Sequence, residues 1–440
     1  MKRRAAQPPI EHRLLMTATL CLLAFGAVMV YSASSPIGVL QGSRYGTGEF
    51  IRYLAFGAIG VIAMQVLARR GLELISGRPT SLLLVGSLLL LALVLAPGFG
   101  VAVNGARRWL HSGPIQFQPS ELAKLALVLW LARHLAENPR LLRAGFRRAL
   151  APVAVVAGPA CLLIVLEPDL GTTLVILFTL AALLIAAGIP IRHLALAAAI
   201  LAVVFGALVL ARPYELARLS SFLHPWSVRS TAGFQEVQGQ ISLGSGGLFG
   251  VGLGQGVQKI YYLPEAQTDF ILAVIGEELG VVGVLVVIVL YGMIGYAGLR
   301  TARRARDPYA KLLATGLTSL ILCQGIVNLF VVLGIAPLTG VPLPFISYAP
   351  TNLCVMLASV GLLLNISRRE AAGLRALDGG RPRAAGMRAG RGMARGRMTD
   401  RRHAPTAQAA ERERTADRDR RRRDRRARRA GAGGGRRAAG

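Results

Sequence analysis

Residues 270–291 read FILAVIGEELGVVGVLVVIVLY, an apolar run broken only by the adjacent acids Glu277 and Glu278. About 20 apolar residues, each adding 1.5 Å of helix, cover a hydrocarbon layer of roughly 30 Å, so the run reads as a membrane span. Working outward from it, further apolar runs begin near Leu14, Phe50, Ser81, Glu121, Leu150, Thr172 and Leu194 on one side, and near Leu312 and Ile346 on the other. Together they predict an all-α, polytopic integral membrane protein of about ten transmembrane helices over residues 14–367. Composition agrees: 53% hydrophobic against 17% charged residues leaves apolar surface that no soluble core needs.

The net charge of +29 invites a nucleic-acid reading until the arginines are located. Residues 368–440 hold 24 Arg and 8 acids in a Gly- and Ala-rich stretch without apolar periodicity, which reads as a disordered tail. No nucleic acid is expected as a partner. Basic residues near anionic lipid each contribute about 1 kcal/mol, so the tail is expected to lie along the cytoplasmic leaflet. Elsewhere, 18 Lys and Arg fall in alternate short segments, including residues 1–13, and 8 in the others. The positive-inside rule then places both termini in the cytoplasm. The first run, from Leu14 to Val30, serves as an uncleaved start signal, and Cys21, Cys161, Cys323 and Cys354 all sit in apolar runs, implying no disulfide framework.

That orientation puts four polar stretches outside: residues 98–120, the turn 167–171, the loop 212–268 between helices seven and eight, and residues 335–345. A loop as long as 212–268 is too long for a connector, and its Phe222, Trp226, Phe234, Phe249, Tyr261 and Tyr262 favour an ordered structure at the interface. Its glycine run at 244–256 reads as a compact turn needing positive φ angles. Neither a phosphate-binding Gly-x-x-x-x-Gly-Lys nor a His-Glu-x-x-His motif occurs.

Ionisable groups at the membrane surface are costly and tend to serve a function. Asp269, at the entrance to the eighth span, is the leading candidate, with helix capping as the competing explanation. Glu277 and Glu278 lie two turns further in, where they either pair with a buried cation such as Lys124 or line a hydrated cavity; pairing is the preferred reading, because adjacent residues face different ways. In Gln118-Pro119-Ser120-Glu121-Leu122-Ala123-Lys124, Ser120 reads as a cap and Glu121 as a first-turn acid, whereas Lys124 offers a point charge for an anionic head group. Arg107, Arg108 and Trp109 read as snorkelling anchors or phosphate ligands. Glu167-Pro168-Asp169 reads as a reversal with Asp169 capping.

Taken together, Asn104 to Trp109, Gln118 to Lys124, Glu167 to Thr172, Tyr262 to Gly280 and Pro342 to Tyr348 resemble the SEDS family (shape, elongation, division and sporulation), over residues 10–370. The Tyr-Leu-Pro-Glu-Ala stretch resembles the division branch, FtsW, more than the elongation branch, RodA. The resemblance implies a peptidoglycan glycosyltransferase that polymerises lipid II on the outer face of the cytoplasmic membrane at the division septum. It also implies a class B penicillin-binding protein and other divisome proteins as partners. It maps the family's essential loop aspartate onto Asp269, and its motifs supply a substrate-binding set of Arg108, Lys124, Glu121, Glu167, Asp169, Glu265, Gln267, Thr268, Ser347 and Tyr348. The chain departs from the family pattern at Gln267 (usually His), at Ala349-Pro350-Thr351-Asn352 and at Gln116.

The expected chemistry is inverting transfer, with Asp269 taking the proton of an acceptor hydroxyl and Arg108, Lys124 or a divalent cation (Mg or Mn) meeting the departing pyrophosphate. No Asp-x-Asp pair occurs outside the tail, so such a cation would need dispersed carboxylates. The competing readings are a lipid-linked precursor transporter using Glu277, Glu278 and Lys124 as cavity charges, an elongation polymerase, and a division scaffold.

Overall fold

The computed structural model describes residues 9–379, apart from 41–45, 76, 104–105, 113–114, 140–145, 212, 232 and 261. Asn104, Tyr261 and the arginine-rich tail from residue 380 onward lie outside the described residues. Among the described residues, ten longer helices follow the apolar runs: α1 (Ile10–Leu40), α2 (Gly48–Ile75), α3 (Arg78–Leu95), α4 (Pro119–Glu137), α5 (Phe146–Leu166), α6 (Leu170–Ala186), α7 (Ile191–Ala211), α10 (Ile271–Arg304), α11 (Pro308–Val332) and α12 (Pro350–Gly379). Two short helices, α8 (Pro213–Leu223) and α9 (Phe234–Ser245), order the first half of the long loop.

By length and composition, α1, α2, α3, α10, α11 and α12 can each cross a membrane, and shorter apolar stretches lie in α5, α6 and α7. Helix α4 is the exception, since it carries Glu121, Lys124, Arg133 and Glu137. Two of those charges neutralise each other inside the fold, Lys124 Nζ lying 2.8 Å from Glu121 Oε1 with both side chains fully buried.

Small residues set the helix seams, as expected where close backbone approach rather than water expulsion drives association. A Cβ on Gly60 would come within 2.5 Å of Leu357, and one on Gly361 within 2.6 Å of the Met64 carbonyl, which locks α2 against α12. Gly298 meets Thr318 in the same way between α10 and α11. At the opposite end from the long loop, Glu11 of α1 forms ion pairs with Arg300 at 2.8 Å and Arg304 at 2.6 Å.

The structure revises four boundaries. Residues 98–120 are not plain loop: β1 (Gly100–Val103), β2 (Ala106–Ser112) and β3 (Ile115–Phe117) form an antiparallel sheet in the order β1-β2-β3, pairing Gly100 with Leu110 and Leu110 with Phe117. The last helix starts at Pro350, not near Ile346. The chain at 342–348 spends its polar groups on neighbouring segments, and proline suits a first helical position. Helix α10 is broken at Gly280 (φ 67°), so residues 271–279 form a separate short arm that bears Glu277 and Glu278. Ser120 is not a cap, because Pro119 opens α4 one residue earlier, with Gln118 at the cap position and no side-chain bond there. By contrast, Asp169 caps α6 as expected, its Oδ1 accepting from the Thr172 amide at 3.0 Å. All four cysteines are free.

Candidate active site

A polar cavity of about 180 Å³ lies where the small sheet, the long loop and the segment before α12 meet. Its floor is Glu265, Thr268 and Asp269; β2 contributes Arg108 and Trp109, α8 contributes Arg218 and α9 contributes Gln235. Gly340 and Tyr348, from the segment before α12, complete the lining. Gly340 has no side chain to intrude: a Cβ there would stand 3.9 Å from both Arg108 Nη1 and Asp269 Oδ2. Gly340 therefore lies beside both the arginine and the carboxylate, and its φ of 67° is what calls for glycine there.

Asp269 is not the cap of the short arm, because Phe270 holds that position and no side-chain cap bond forms. Its backbone is fixed instead. Asn328 of α11 donates through Nδ2 to the Asp269 carbonyl at 2.7 Å and to the Val341 carbonyl at 2.8 Å, tying Asp269 to the segment that carries Gly340. The amide of Tyr348 donates to the Gln267 carbonyl at 2.9 Å, a second tie between the same segments. The Asp269 carboxyl is therefore half-buried in a rigid place, and burial pushes its pKa up to about 7. The negative charge of Glu265 raises it further, while Thr268, 3.2 Å away, and the cation of Arg218 oppose the rise. A carboxyl poised near neutrality is what proton abstraction at physiological pH requires.

Arg108 is held from behind, its Nε donating to the Glu167 carbonyl at 3.1 Å and its Nη2 to the Pro168 carbonyl. This bidentate grip on the 167–169 turn leaves Nη1 toward the cavity. Glu167 itself is buried and its pKa is pushed up to about 9, by burial first and the neighbouring Asp169 second, so near pH 7 it is neutral and does not cancel Arg108. Gln118 Nε2 donates to Asp169 Oδ2 at 3.3 Å, joining the turn to α4.

Of the residues singled out from sequence, Asp269, Glu265, Thr268, Arg108 and Tyr348 line the cavity. Glu167 and Asp169 stand behind Arg108, and Gln267 and Ser347 act through backbone and turn contacts, Ser347 Oγ accepting from the Leu343 amide at 2.8 Å. Lys124 and Glu121 do not line it: Lys124 bonds Glu121 and Gln324, at 2.7 Å, and Glu121 accepts from Asn352 at 2.6 Å. The expected pairing of Lys124 with the α10 acids does not form. Glu278 takes Lys259 instead, at 2.5 Å, and Glu277 accepts from the Val257 amide at 2.8 Å. Arg218, Gln118, Gln235 and Gly340 were missed. Arg218 carries a faint signal, a cation on a short helix within the long loop.

The sequence profile that describes the FtsW, RodA and SpoVE cell cycle proteins matches residues 12–372. The chain belongs to this family. It is 41% identical over 358 residues to the stage V sporulation protein E of Bacillus subtilis, covering 81% of this chain and 96% of that one. It is 40% identical over 364 residues to a protein of Coxiella burnetii named "Probable peptidoglycan glycosyltransferase FtsW", covering 80% and 95%. Among solved structures, a peptidoglycan synthase complex described as coordinating polymerization and crosslinking superposes with a TM-score of 0.66 at 31% identity, over 81% of this chain and 97% of that one. The rod shape determining protein RodA of Thermus thermophilus gives 0.58 at 31%, over 81% and 96%.

Among the described residues no group of three or more His, Cys, Asp or Glu side chains could hold a metal ion. Glu265 and Asp269 are the carboxylates of the cavity. Two acids in one cavity do not amount to a preformed divalent site, so no step below depends on a metal.

Proposed function

We propose that this protein is a peptidoglycan glycosyltransferase, spanning the cytoplasmic membrane ten times, that polymerises lipid II at the outer face, in septal cell-wall synthesis beside a class B penicillin-binding protein. The observation that carries the reading is Asp269, half-buried at neutral pKa on the floor of a cavity that Arg108 and Arg218 also line. The Asp269 carboxylate accepts the proton of the acceptor sugar's 4-hydroxyl as that oxygen attacks the anomeric carbon of the polyprenyl-linked donor. The carbon–oxygen bond to pyrophosphate breaks with inversion, and the electron pair leaves with the phosphate. Arg108 and Arg218 meet the charge that develops there.

Transport as the primary activity has less support, because its candidate charges are already engaged. Lys124 is held by Glu121 and Gln324, and Glu278 by Lys259 and Ser32. The separating experiment incubates the purified complex with fluorescent lipid II in liposomes. Glycan strands that lysozyme digests support the polymerase, whereas movement of the label across the bilayer without strands overturns it.

A further inference from the structure

Residues 246–257 run Gly-Gly-Leu-Phe-Gly-Val-Gly-Leu-Gly-Gln-Gly-Val, without a charge. Their large side chains point away from the protein: Phe249 is 81% exposed, Leu248 67% and Leu253 55%. A loop bathed in water has little reason to present such a face.

The position of this hairpin says what covers it. The amides of Val281 and Val282 donate to the carbonyls of Gly247 and Leu248 at 3.0 and 3.2 Å, fastening the hairpin to the first turn of α10 after its break. From that turn, the exposed Val281, Val282, Leu285, Val286 and Val289 run down a helix that meets its first arginine at Arg300. Residues 281–299 span about 28 Å, close to the hydrocarbon thickness. The hairpin therefore sits at the outer edge of the acyl layer, its apolar face continuous with the lipid-facing side of α10.

Irregular backbone survives in that setting only where its polar groups are satisfied. Gly250 donates to the Gly246 carbonyl at 2.8 Å, Val251 to the Glu277 carbonyl at 2.9 Å, and Gly252 to the Glu278 carbonyl at 3.0 Å. Side chains add three more: the Gly254 amide donates to Glu278 Oε2 at 3.0 Å, and the amides of Val257 and Gln258 to Glu277 Oε1 at 2.8 and 3.2 Å. The two acids that interrupt the apolar run at 270–291 stand in for the carbonyls a helix would have supplied. Lys259, fully buried against Glu278 and Ser32, balances one charge. The glycines permit the approach, since a Cβ on Gly250 would lie 2.1 Å from the Glu278 carbonyl oxygen.

We propose that residues 246–258 form a lipid-embedded hairpin, five of whose amides are accepted by Glu277 and Glu278, and which moors the short arm following Asp269 at the membrane surface. The inference rests on the membrane-spanning reading and is independent of the glycosyl-transfer chemistry. The test places a nitroxide on Phe249→Cys, and separately on Leu253→Cys, in protein whose four native cysteines are Ala, reconstituted in phosphatidylcholine liposomes. Both sites are exposed, so the labels displace no packing. Collisions with oxygen are expected to exceed those with a water-soluble nickel chelate, giving a ratio nearer that of a Val289→Cys control than that of Ser230→Cys in the loop. A chelate accessibility equal to that at Ser230→Cys overturns the proposal, as does shielding from both reagents, which would mean a protein surface covers the hairpin. An aqueous reading at Val289→Cys itself would overturn the membrane-spanning reading instead, and the hairpin with it.

Discussion

Replacing Lys259 by Met takes away the ammonium that lies 2.5 Å from Glu278 Oε1, 2.9 Å from Ser32 Oγ and 3.0 Å from the Gly254 carbonyl. The methylene stem keeps its volume, so the change is one of charge. Glu278, fully buried, then retains only neutral donors: the Ser32 hydroxyl, 2.8 Å from both carboxylate oxygens, and the Gly254 amide at 3.0 Å. Breaking a buried pair from one side costs about 3–5 kcal/mol, because an uncompensated charge stays behind. Two surviving donors put Lys259→Met at the lower end, about 3 kcal/mol. Adding Glu278→Gln removes the stranded charge and is expected to recover about 2 kcal/mol, a coupling that a double-mutant cycle isolates. Unfolding free energies from SDS titration of mixed micelles supply the four corners. A cost below about 1 kcal/mol for Lys259→Met, or no recovery in the double variant, would refute the claim that the pair is dry and mutually dependent.

Polymerisation rate against pH is expected to rise tenfold per unit below about 7 and then level, following ionisation of Asp269. Glu265→Gln removes a negative neighbour and shifts that limb to lower pH, while Arg218→Gln shifts it to higher pH. Because the folded-state pKa of Asp269 is raised above its ordinary 3.8, the group stabilises the fold less as pH climbs from about 4 to 7; Asp269→Asn is therefore expected to unfold at a higher temperature than the parent at pH 8 and to show no such gain at pH 4, read by thermal denaturation in detergent. Arg108→Lys cannot hold two carbonyls and face the cavity at once, so turnover is expected to fall about 10²-fold with folding unchanged, measured by strand synthesis and thermal shift. Gly250→Ala is expected to abolish folded protein on size-exclusion chromatography, having both φ 80° and a backbone oxygen 2.1 Å from the new Cβ; Gly254→Ala, at the same φ but in open space, is expected to cost only about 1 kcal/mol.

The sequence revealed what is local and periodic. Apolar runs became helices because hydrophobic length is a property of each segment alone, and Asp269 stood out because a carboxylate at the mouth of a span is rare. The three-stranded sheet escaped notice because β1 and β3 are only four and three residues long, and the seven residues of β2, ARRWLHS, do not alternate apolar with polar. Partners of buried charges were harder still. Lys124 lies in a helix and Lys259 in the long loop, yet it is Lys259 that reaches Glu278, together with Ser32 from the first helix. No local pattern encodes that contact, which depends on the break at Gly280 and the fold of the glycine hairpin. Whether Asp269 capped a helix or faced a cavity was equally undecidable from spacing. The structure separates the two, since Phe270 holds the cap position and Gly340 leaves room in front of the carboxylate.

The most direct measurement is strand synthesis from labelled lipid II by the reconstituted complex carrying Asp269→Asn, an isosteric change that keeps the side chain's shape and removes its basicity. Loss of at least about 10²-fold in rate, with lipid II still bound, is the predicted result. Strand synthesis at the unsubstituted rate would show that no proton passes through this carboxylate.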